Sequence, residues 1–220
     1  MNKKGTYMVS FLVTILLAIL IFAPSCMFAS KFFRLSAQAK DNFVAFVGDV
    51  EDLQLHGKDA ESRNTLIILD AETALIYFSG PKLTISVDAA AEGDFYDYKI
   101  LIDRPPVCEE DKEAKGCFCL FREVKIDSSQ FLTDKILTIT PVKMLCQPTK
   151  YEVLFLASEN AQNCGIGIPV DVNSYTCEGG FMADRELIGK TEYVKAYYNS
   201  GRRVNLVATK DSSRIKIKKY

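Results

Sequence analysis

The sequence predicts an α+β protein in which one N-terminal transmembrane helix continues into an amphipathic helix and then into a disulfide-stapled antiparallel β domain. Three observations predict it: an uncharged apolar run near the amino terminus, a helical apolar stripe directly after it, and short aliphatic and aromatic runs over the rest of the 220 residues. The predicted division is 1–30 for the basic N-terminus and anchor, 31–57 for the juxtamembrane helix and 58–220 for one extracytoplasmic β-rich domain.

The first element is the uncharged stretch from Gly5 to Ser30, which follows two lysines. About 20 consecutive apolar residues in a helix span the hydrocarbon core of a bilayer. A cleaved secretory signal and a lipoprotein signal ending at Cys26 are the alternatives, but the apolar run is long for a signal peptide and Met27-Phe28-Ala29 is a poor cleavage site. We therefore expect a retained anchor whose partner is the lipid bilayer, contacted through Tyr7 to Ala29.

Lys3-Lys4-Gly5 is followed at once by a long predicted apolar helix. In this arrangement residues 1–50 resemble an archaeal type IV pilin-like precursor. The resemblance implies that a dedicated peptidase cuts after Gly5, and that the helix then packs in a filament or stays in the membrane. Ser10 stands at the fifth residue after that cut, where pilins usually carry a glutamate, so the match is to a pilin-like anchor.

An amphipathic helix is predicted over 31–57, with Gly57 ending it. Its apolar residues recur every three or four positions, which is typical of one helical stripe. Because the stripe holds more large apolar side chains than a lone solvated helix tolerates, we expect the chain's own β domain to cover it, with a neighbouring copy as the alternative. The stripe comprises Phe32, Leu35, Ala39, Phe43, Phe46, Val47, Val50 and Leu53.

From Thr65 the apolar period changes to that of strands. Thr65–Asp70 and Ala74–Ser79 are predicted to pair as a hairpin, because an aspartate at the first turn position bonds the backbone ahead of it. Further strands are predicted at Leu83–Val87, Tyr98–Ile102, Cys117–Ile126, Lys135–Thr140 and Tyr151–Leu156. The chain closes in a predicted three-stranded meander of Thr191–Tyr198, Arg202–Ala208 and Arg214–Lys219.

The alternating basic residues of Arg214–Lys219 are interpreted as lysine guards on an edge strand. The alternative interpretation is a basic stripe that lies on anionic lipid.

The pilin-like anchor and the juxtamembrane helix are followed by an LD-x-x-T-A motif at Leu69–Ala74 and by an Arg-Pro-Pro-x-Cys loop from Arg104 that leads to Cys117-Phe118-Cys119. In this combination most of the chain resembles small membrane-anchored proteins of uncultured archaea. The resemblance implies a location and a fold type, and it carries no activity.

Seven cysteines are present, of which one lies in the predicted anchor and six follow it. An even set in a small domain is typical of disulfides in an oxidising compartment, so the sequence predicts a cytoplasmic N-terminus and an extracytoplasmic main domain. The six disulfide candidates are Cys108, Cys117, Cys119, Cys146, Cys164 and Cys177.

The spacing of Cys117 and Cys119 indicates that they bond to different partners. On a strand both side chains point to one face, where they are badly placed to bond each other. Cys108 and Cys146 are the obvious partners, and Cys164 with Cys177 would form the third pair. The sequence alone leaves the pairing open.

The charge distribution gives no reason to expect a nucleic-acid partner. Residues 1–40 carry five bases and no acid, 41–125 nine bases against eighteen acids, and 126–220 thirteen against ten. The body of the chain therefore lacks the basic surface that neutralises phosphates. A membrane surface is the electrostatic partner that the pattern implies.

The sequence predicts no catalytic residues, cofactor, metal or small-molecule ligand. His56 is the only histidine and is expected to be a solvated residue at a helix end, and no G-x-S-x-G nucleophile context occurs. Gly165-Ile166-Gly167 lacks the third glycine of a dinucleotide loop. Glu92, Asp94 and Asp97 do not have the spacing of an EF-hand calcium loop.

The predicted function is that of a non-enzymatic, single-pass cell-surface protein with a structural, assembly or recognition role. Its predicted partners include further copies of the chain, in a homo-oligomer or a surface assembly. Two alternatives stay open: an extracytoplasmic thiol–disulfide oxidoreductase using Cys117 and Cys119, and a minor pilin-like subunit. The oxidoreductase would need an accessible thiolate of low pKa beside a cationic group, for which Arg122 and Lys125 are the candidates.

Overall fold

Two β-sheets and one long helix build the described part of the chain in a computed structural model of the protein. The structure describes residues 38–69, 73–89, 97–156, 161–162, 172–185 and 203–219. The predicted anchor with Gly5, the predicted strand Thr191–Tyr198, and Cys164 lie outside these ranges. Within these ranges, no helix is both long and apolar enough to cross a membrane.

Helix α1 covers residues 38–56 and is the described part of the predicted amphipathic helix. The predicted apolar stripe is buried along its whole described length, from Ala39 to Leu53. The helix ends where the sequence predicts, since the Gly57 amide donates a hydrogen bond to the Leu53 carbonyl at 2.9 Å.

Most of the other described residues belong to short strands. A 3-10 turn, Pro106–Glu109, and a short helix α2, Phe131–Asp134, interrupt them. The described strands are β1 (Ser62–Ile68), β2 (Thr73–Phe78), β3 (Lys82–Ala89), β4 (Tyr98–Asp103), β5 (Gly116–Asp127), β6 (Ile136–Thr149), β7 (Glu152–Phe155), β8 (Ala161–Gln162), β9 (Val172–Glu178), β10 (Gly180–Arg185), β11 (Arg203–Asp211) and β12 (Arg214–Lys219).

The strands form two sheets. Sheet A has the order β1-β11-β12-β7, and sheet B has the order β10-β2-β5-β6-β4-β3-β9-β8. Most neighbours are antiparallel, but β4 with β6, β12 with β7 and β8 with β9 are parallel. The prediction of a purely antiparallel domain is therefore wrong at these pairs. Between β4 and β6, the strand β5 returns the chain to the same end of the sheet, so β4 and β6 run in the same direction.

The predicted hairpin of Thr65–Asp70 with Ala74–Ser79 is wrong, although both strands form. β1 pairs with β11 in sheet A, whereas β2 lies between β10 and β5 in sheet B. The difference in burial between the two strands explains why they lie in different sheets. Every residue of β2 is buried, as suits a strand covered on both faces, while β1 alternates and carries exposed side chains on one face.

The bounds of one predicted strand also need correction. The strand predicted to end at Thr140 continues to Thr149 through Pro141 and Pro148. The β5–β6 register shifts between Phe121 and Val124, beside the pairing of Val124 with Pro141. This irregularity accommodates the proline, which cannot donate a ladder hydrogen bond.

β12 is not an edge strand. It pairs with β11 on one side and with β7 on the other, so the interpretation of its basic residues as edge guards is wrong. The β11–β12 part of the predicted meander is confirmed, with Asp211 opposite Arg214.

The apolar interior has two parts, which lie on opposite faces of β2 and β5. The helix core contains α1 and residues of both sheets, including Leu75 and Tyr77 of β2. The cysteine core contains the other face of β2, including Ile76, together with β3, β4 and three cysteines of the β5 region. The prediction that the β domain covers the helical stripe is therefore confirmed for its described residues.

Gly179 connects β9 to β10, two strands that lie near opposite ends of sheet B. β9 pairs with β3 and β10 pairs with β2, so this one residue links the two regions of the sheet. Gly179 has φ +78°, and a Cβ there would lie 2.1 Å from the Lys82 carbonyl oxygen. Its own carbonyl accepts a hydrogen bond from the Ser79 amide at 2.9 Å. Sheet B thus bends round the cysteine core.

Candidate functional site

Four cysteines meet in the cysteine core, brought there by β5, β6 and the turn Pro106–Glu109. The alternation of β5 points Cys117 and Cys119 into this core, whereas Phe118 faces the helix core. Cys146 lies directly opposite Cys119 on β6, and Cys108 is the buried residue of the turn. The prediction that the two β5 cysteines share a face is confirmed.

These cysteines form two disulfides. Cys108 bonds to Cys117 with their Cα atoms 5.7 Å apart, and Cys119 bonds to Cys146 with their Cα atoms 4.1 Å apart. Cys117 and Cys119 therefore bond to different partners, as predicted. Cys177 is also disulfide-bonded, but its partner lies outside the described residues, so the predicted pair with Cys164 stays a prediction.

The two disulfides lie in contact. The Sγ atom of Cys119 is 3.5 Å from that of Cys108 and 3.9 Å from that of Cys117. All four Sγ atoms lie within 4.8 Å of one another. Cys108, Cys117 and Cys119 are completely buried, and Cys146 is partly exposed. The cluster is thus a compact four-sulfur group in which Cys146 is the member partly exposed to solvent.

Arg104 places a positive charge beside this cluster. Its guanidinium Nη2 donates a hydrogen bond to the Cys108 carbonyl at 2.7 Å. Its Nε is buried and has no hydrogen-bond partner within the described part of the chain. Sequence reasoning named Arg122 and Lys125 instead, which are exposed on β5. The signal for Arg104 was the Arg-Pro-Pro-x-Cys spacing, which sets it one tight turn before Cys108.

His56 lies at the exposed end of α1, as predicted. Its Nδ1 is 2.8 Å from the Asp52 carboxylate, which also pairs with Arg63 of β1 at 2.7 Å. The hydrogen bond from Arg63, followed by that from His56, holds the pKa of Asp52 below its usual value. The arrangement links the helix end to sheet A, and it is the geometry of a surface ion-pair network.

Two clefts offer polar side chains to solvent. One of about 420 Å³ lies where β3 and β4 meet α2, and it carries Asp88, Asp97 and Lys99. Of the three acids considered for calcium, Asp97 alone falls in the described residues. A second cleft, of about 530 Å³, is lined by residues of β1 and β11, among them Asn64 and Asn205.

No family model, curated protein or solved structure matches the chain. The resemblances to a pilin-like anchor and to small archaeal membrane-anchored proteins therefore stay predictions. The four-sulfur cluster and the covered helix are the features that bear on function.

Proposed function

We propose that the chain is a single-pass, membrane-anchored cell-surface protein whose β domain lies outside the cytoplasm and serves a structural, assembly or recognition role. The observation that carries the proposal is that every cysteine among the described residues is disulfide-bonded. Disulfides persist in oxidising compartments, whereas the reducing cytosol keeps thiols free. The uncharged run from Gly5 to Ser30 supplies the anchor, with the preceding lysines on the cytoplasmic side.

The burial of the cysteines favours this role over thiol–disulfide catalysis at Cys117 and Cys119. A catalytic cysteine has to be accessible to its substrate and depressed in pKa. Cys117 and Cys119 are both 0% exposed, and each is bonded to a different partner. The geometry therefore suits staples that fix β5 to its neighbours.

The cover on α1 removes residues 39–53 from any pilin-like contact between copies, whereas the predicted anchor lies outside the described residues. In pilin-like packing, the apolar face of the helix contacts the same helix in neighbouring copies. Here Phe43, Phe46 and Val50 are buried against the chain's own sheets. Assembly through this part of the helix would require the domain to open, so contacts between copies would have to use other surfaces.

Recognition would need an exposed surface with hydrogen-bonding groups, and sheet A offers one. The cleft lined by β1 and β11 presents the amides of Asn64 and Asn205, which are both exposed. Such groups bind polar partners without requiring a charged ligand.

The test follows the full-length protein, carrying a C-terminal epitope, in cells. We expect it to remain in the membrane pellet after carbonate washing, and the exposed lysines of its main domain to react with a membrane-impermeant amine reagent added to intact spheroplasts. Release by carbonate, or labelling of the main domain only after the cells are lysed, would overturn the proposed location.

Alkylation under denaturing conditions without reductant tests the disulfides independently of the anchor. We expect no label on the five described cysteines, as measured by peptide mass. Cys108→Ser is the matched control, because it frees the sulfur of Cys117 and should make that residue label. Labelling of Cys119 or Cys146 in the unaltered protein would contradict the disulfide assignment.

A further inference from the structure

We propose that the four clustered cysteines bind one metal ion of the zinc class as a tetrathiolate when both disulfides are reduced. Newly made chains carry thiols before their disulfides form, so the reduced state is one through which every copy passes. This inference concerns the β domain alone and does not depend on the anchor or on the cellular location.

The distances between the sulfurs fit such a site. With zinc–sulfur bonds of about 2.3 Å, the ligands of a tetrahedral site lie roughly 3.8 Å apart. The two non-bonded contacts of Cys119, at 3.5 Å and 3.9 Å, already have this length. All four sulfurs lie within 4.8 Å of one another, so cleavage of the two S–S bonds leaves four ligands in a space of the right size.

The fold holds these ligands on elements whose positions are fixed by the sheet. Cys117 and Cys119 project from one face of β5, and Cys146 projects from the strand paired with it. Cys108 comes from the turn whose Arg104 contact fixes its carbonyl. A four-sulfur set with three buried members leaves no open position for water, which is the arrangement of a structural zinc site.

Arg104 provides charge compensation that the site would need. Four thiolates with one divalent cation carry a net charge of minus two, and burying unpaired charge in an apolar core is unfavourable. The Arg104 guanidinium is held at the backbone of one ligand, since its Nη2 donates a hydrogen bond to the Cys108 carbonyl, and its buried Nε–H has no partner among the described residues. Its positive charge would oppose the negative charge of the thiolates, whereas the disulfide form carries no charge for it to oppose.

The same geometry is less suited to a relay of thiol–disulfide exchange. A thiolate displaces a sulfur most readily when it approaches in line with the bond that breaks. Cys119 is almost equally far from both sulfurs of the Cys108–Cys117 disulfide, so it approaches that bond from the side. This side-on placement of Cys119 suits an ion held between the four sulfurs better than it suits thiol–disulfide exchange.

Conversion of the oxidised cluster requires an external dithiol or phosphine as reductant. Each disulfide gains two electrons and two protons and becomes two thiols, while the reductant is oxidised. Metal binding then forms four metal–sulfur bonds and releases the four thiol protons, so binding is expected to weaken as the pH falls.

The experiment uses full-length protein in detergent micelles, reduced anaerobically with a phosphine, freed of reductant and titrated with Co²⁺. We expect saturation at one ion per chain, with the visible absorption of tetrahedral, thiolate-bound cobalt, and displacement of cobalt by Zn²⁺. Circular dichroism should show native strand content in the metal-bound reduced chain. Zn²⁺ should protect Cys108, Cys117, Cys119 and Cys146 from alkylation.

Variants separate a built site from chelation by loose thiols. Cys119→Ser should abolish the tetrathiolate spectrum, whereas Cys177→Ser, which removes a cysteine outside the cluster, should leave it unchanged. Arg104→Gln keeps all four ligands and should lower the affinity about tenfold. Equal losses in Cys119→Ser and Cys177→Ser, the absence of a tetrahedral spectrum, or a reduced chain that stays unfolded with metal present would each overturn the proposal.

Discussion

Gly179 occupies a position where any side chain would meet backbone. We expect Gly179→Ala to lower the free energy of unfolding by at least about 1–2 kcal/mol, the cost of a left-handed conformation for a residue with a Cβ. The added Cβ would also lie 2.1 Å from the Lys82 carbonyl oxygen. Urea denaturation followed by circular dichroism measures the change.

Gly48 provides the control for this substitution. It lies on α1, and a Cβ there would meet nothing within 4 Å. Gly48→Ala should raise the free energy of unfolding by up to about 1 kcal/mol, because alanine favours a helix. A loss of similar size in both variants would contradict the explanation given for Gly179.

Two buried tyrosines differ in the use of their hydroxyl groups. The Tyr77 hydroxyl accepts a hydrogen bond from the Val153 amide at 3.2 Å, whereas the Tyr98 hydroxyl is buried with no partner in the described ranges. Tyr77→Phe should therefore cost about 1–3 kcal/mol, because it leaves a buried amide unsatisfied. Tyr98→Phe should be neutral or stabilising. Thermal unfolding of both variants tests this difference. A larger loss of stability in Tyr98→Phe than in Tyr77→Phe would refute the roles given to the two hydroxyl groups.

At the scale of the element, the stability of helix α1 depends on the residues that cover its apolar face. Phe46 is 0% exposed, and its ring lies edge-on to Phe118 with centroids 5.4 Å apart. Phe46→Ala should lower the free energy of unfolding by about 3–5 kcal/mol. Val44 is 50% exposed on the same helix, so Val44→Ala should change it by no more than about 0.5 kcal/mol.

Dilution distinguishes cover within one chain from cover by a second copy. The effect of Phe46→Ala should be the same at low and high protein concentration, as measured by thermal unfolding in detergent. If the dilute variant melted like the unaltered protein while losing self-association, the stripe would be an assembly surface.

Helices and strands could be predicted from the sequence where the pattern that specifies them repeats over neighbouring residues. The stripe of α1 repeats every three or four residues, and the two-residue period of β5 correctly placed Cys117 and Cys119 on one face. Strand pairing has no such signal, because the partner of β1 is β11, far along the chain. The choice between Cys108 and Cys146 as partners stayed open for the same reason: it depends on where the turn Pro106–Glu109 packs against β5.

At the scale of the whole molecule, the two disulfides should contribute unequally. Cys108 and Cys117 are 9 residues apart, and Cys119 and Cys146 are 27 apart. Loop-closure entropy predicts about 2.7 kcal/mol for the shorter loop and about 3.6 kcal/mol for the longer one. The double variant C119A/C146A should therefore unfold at a lower urea concentration than C108A/C117A. A reversed order would show that local packing outweighs the loop entropy.

The pairing of β1 with β11 has a consequence for the timing of maturation. Ser62 lies opposite Thr209, so the first strand finds its neighbour only when almost the entire polypeptide has been delivered. A chain that emerges N-terminus first presents α1 and β1 while the residues that cover them are still being synthesised, and folding dominated by such distant pairings is slow. Resistance to proteases should then arise in one late step, after β12 has emerged, because a nascent chain halted before Arg203 would still lack Val204, Leu206 and the other late residues that cover part of its helix.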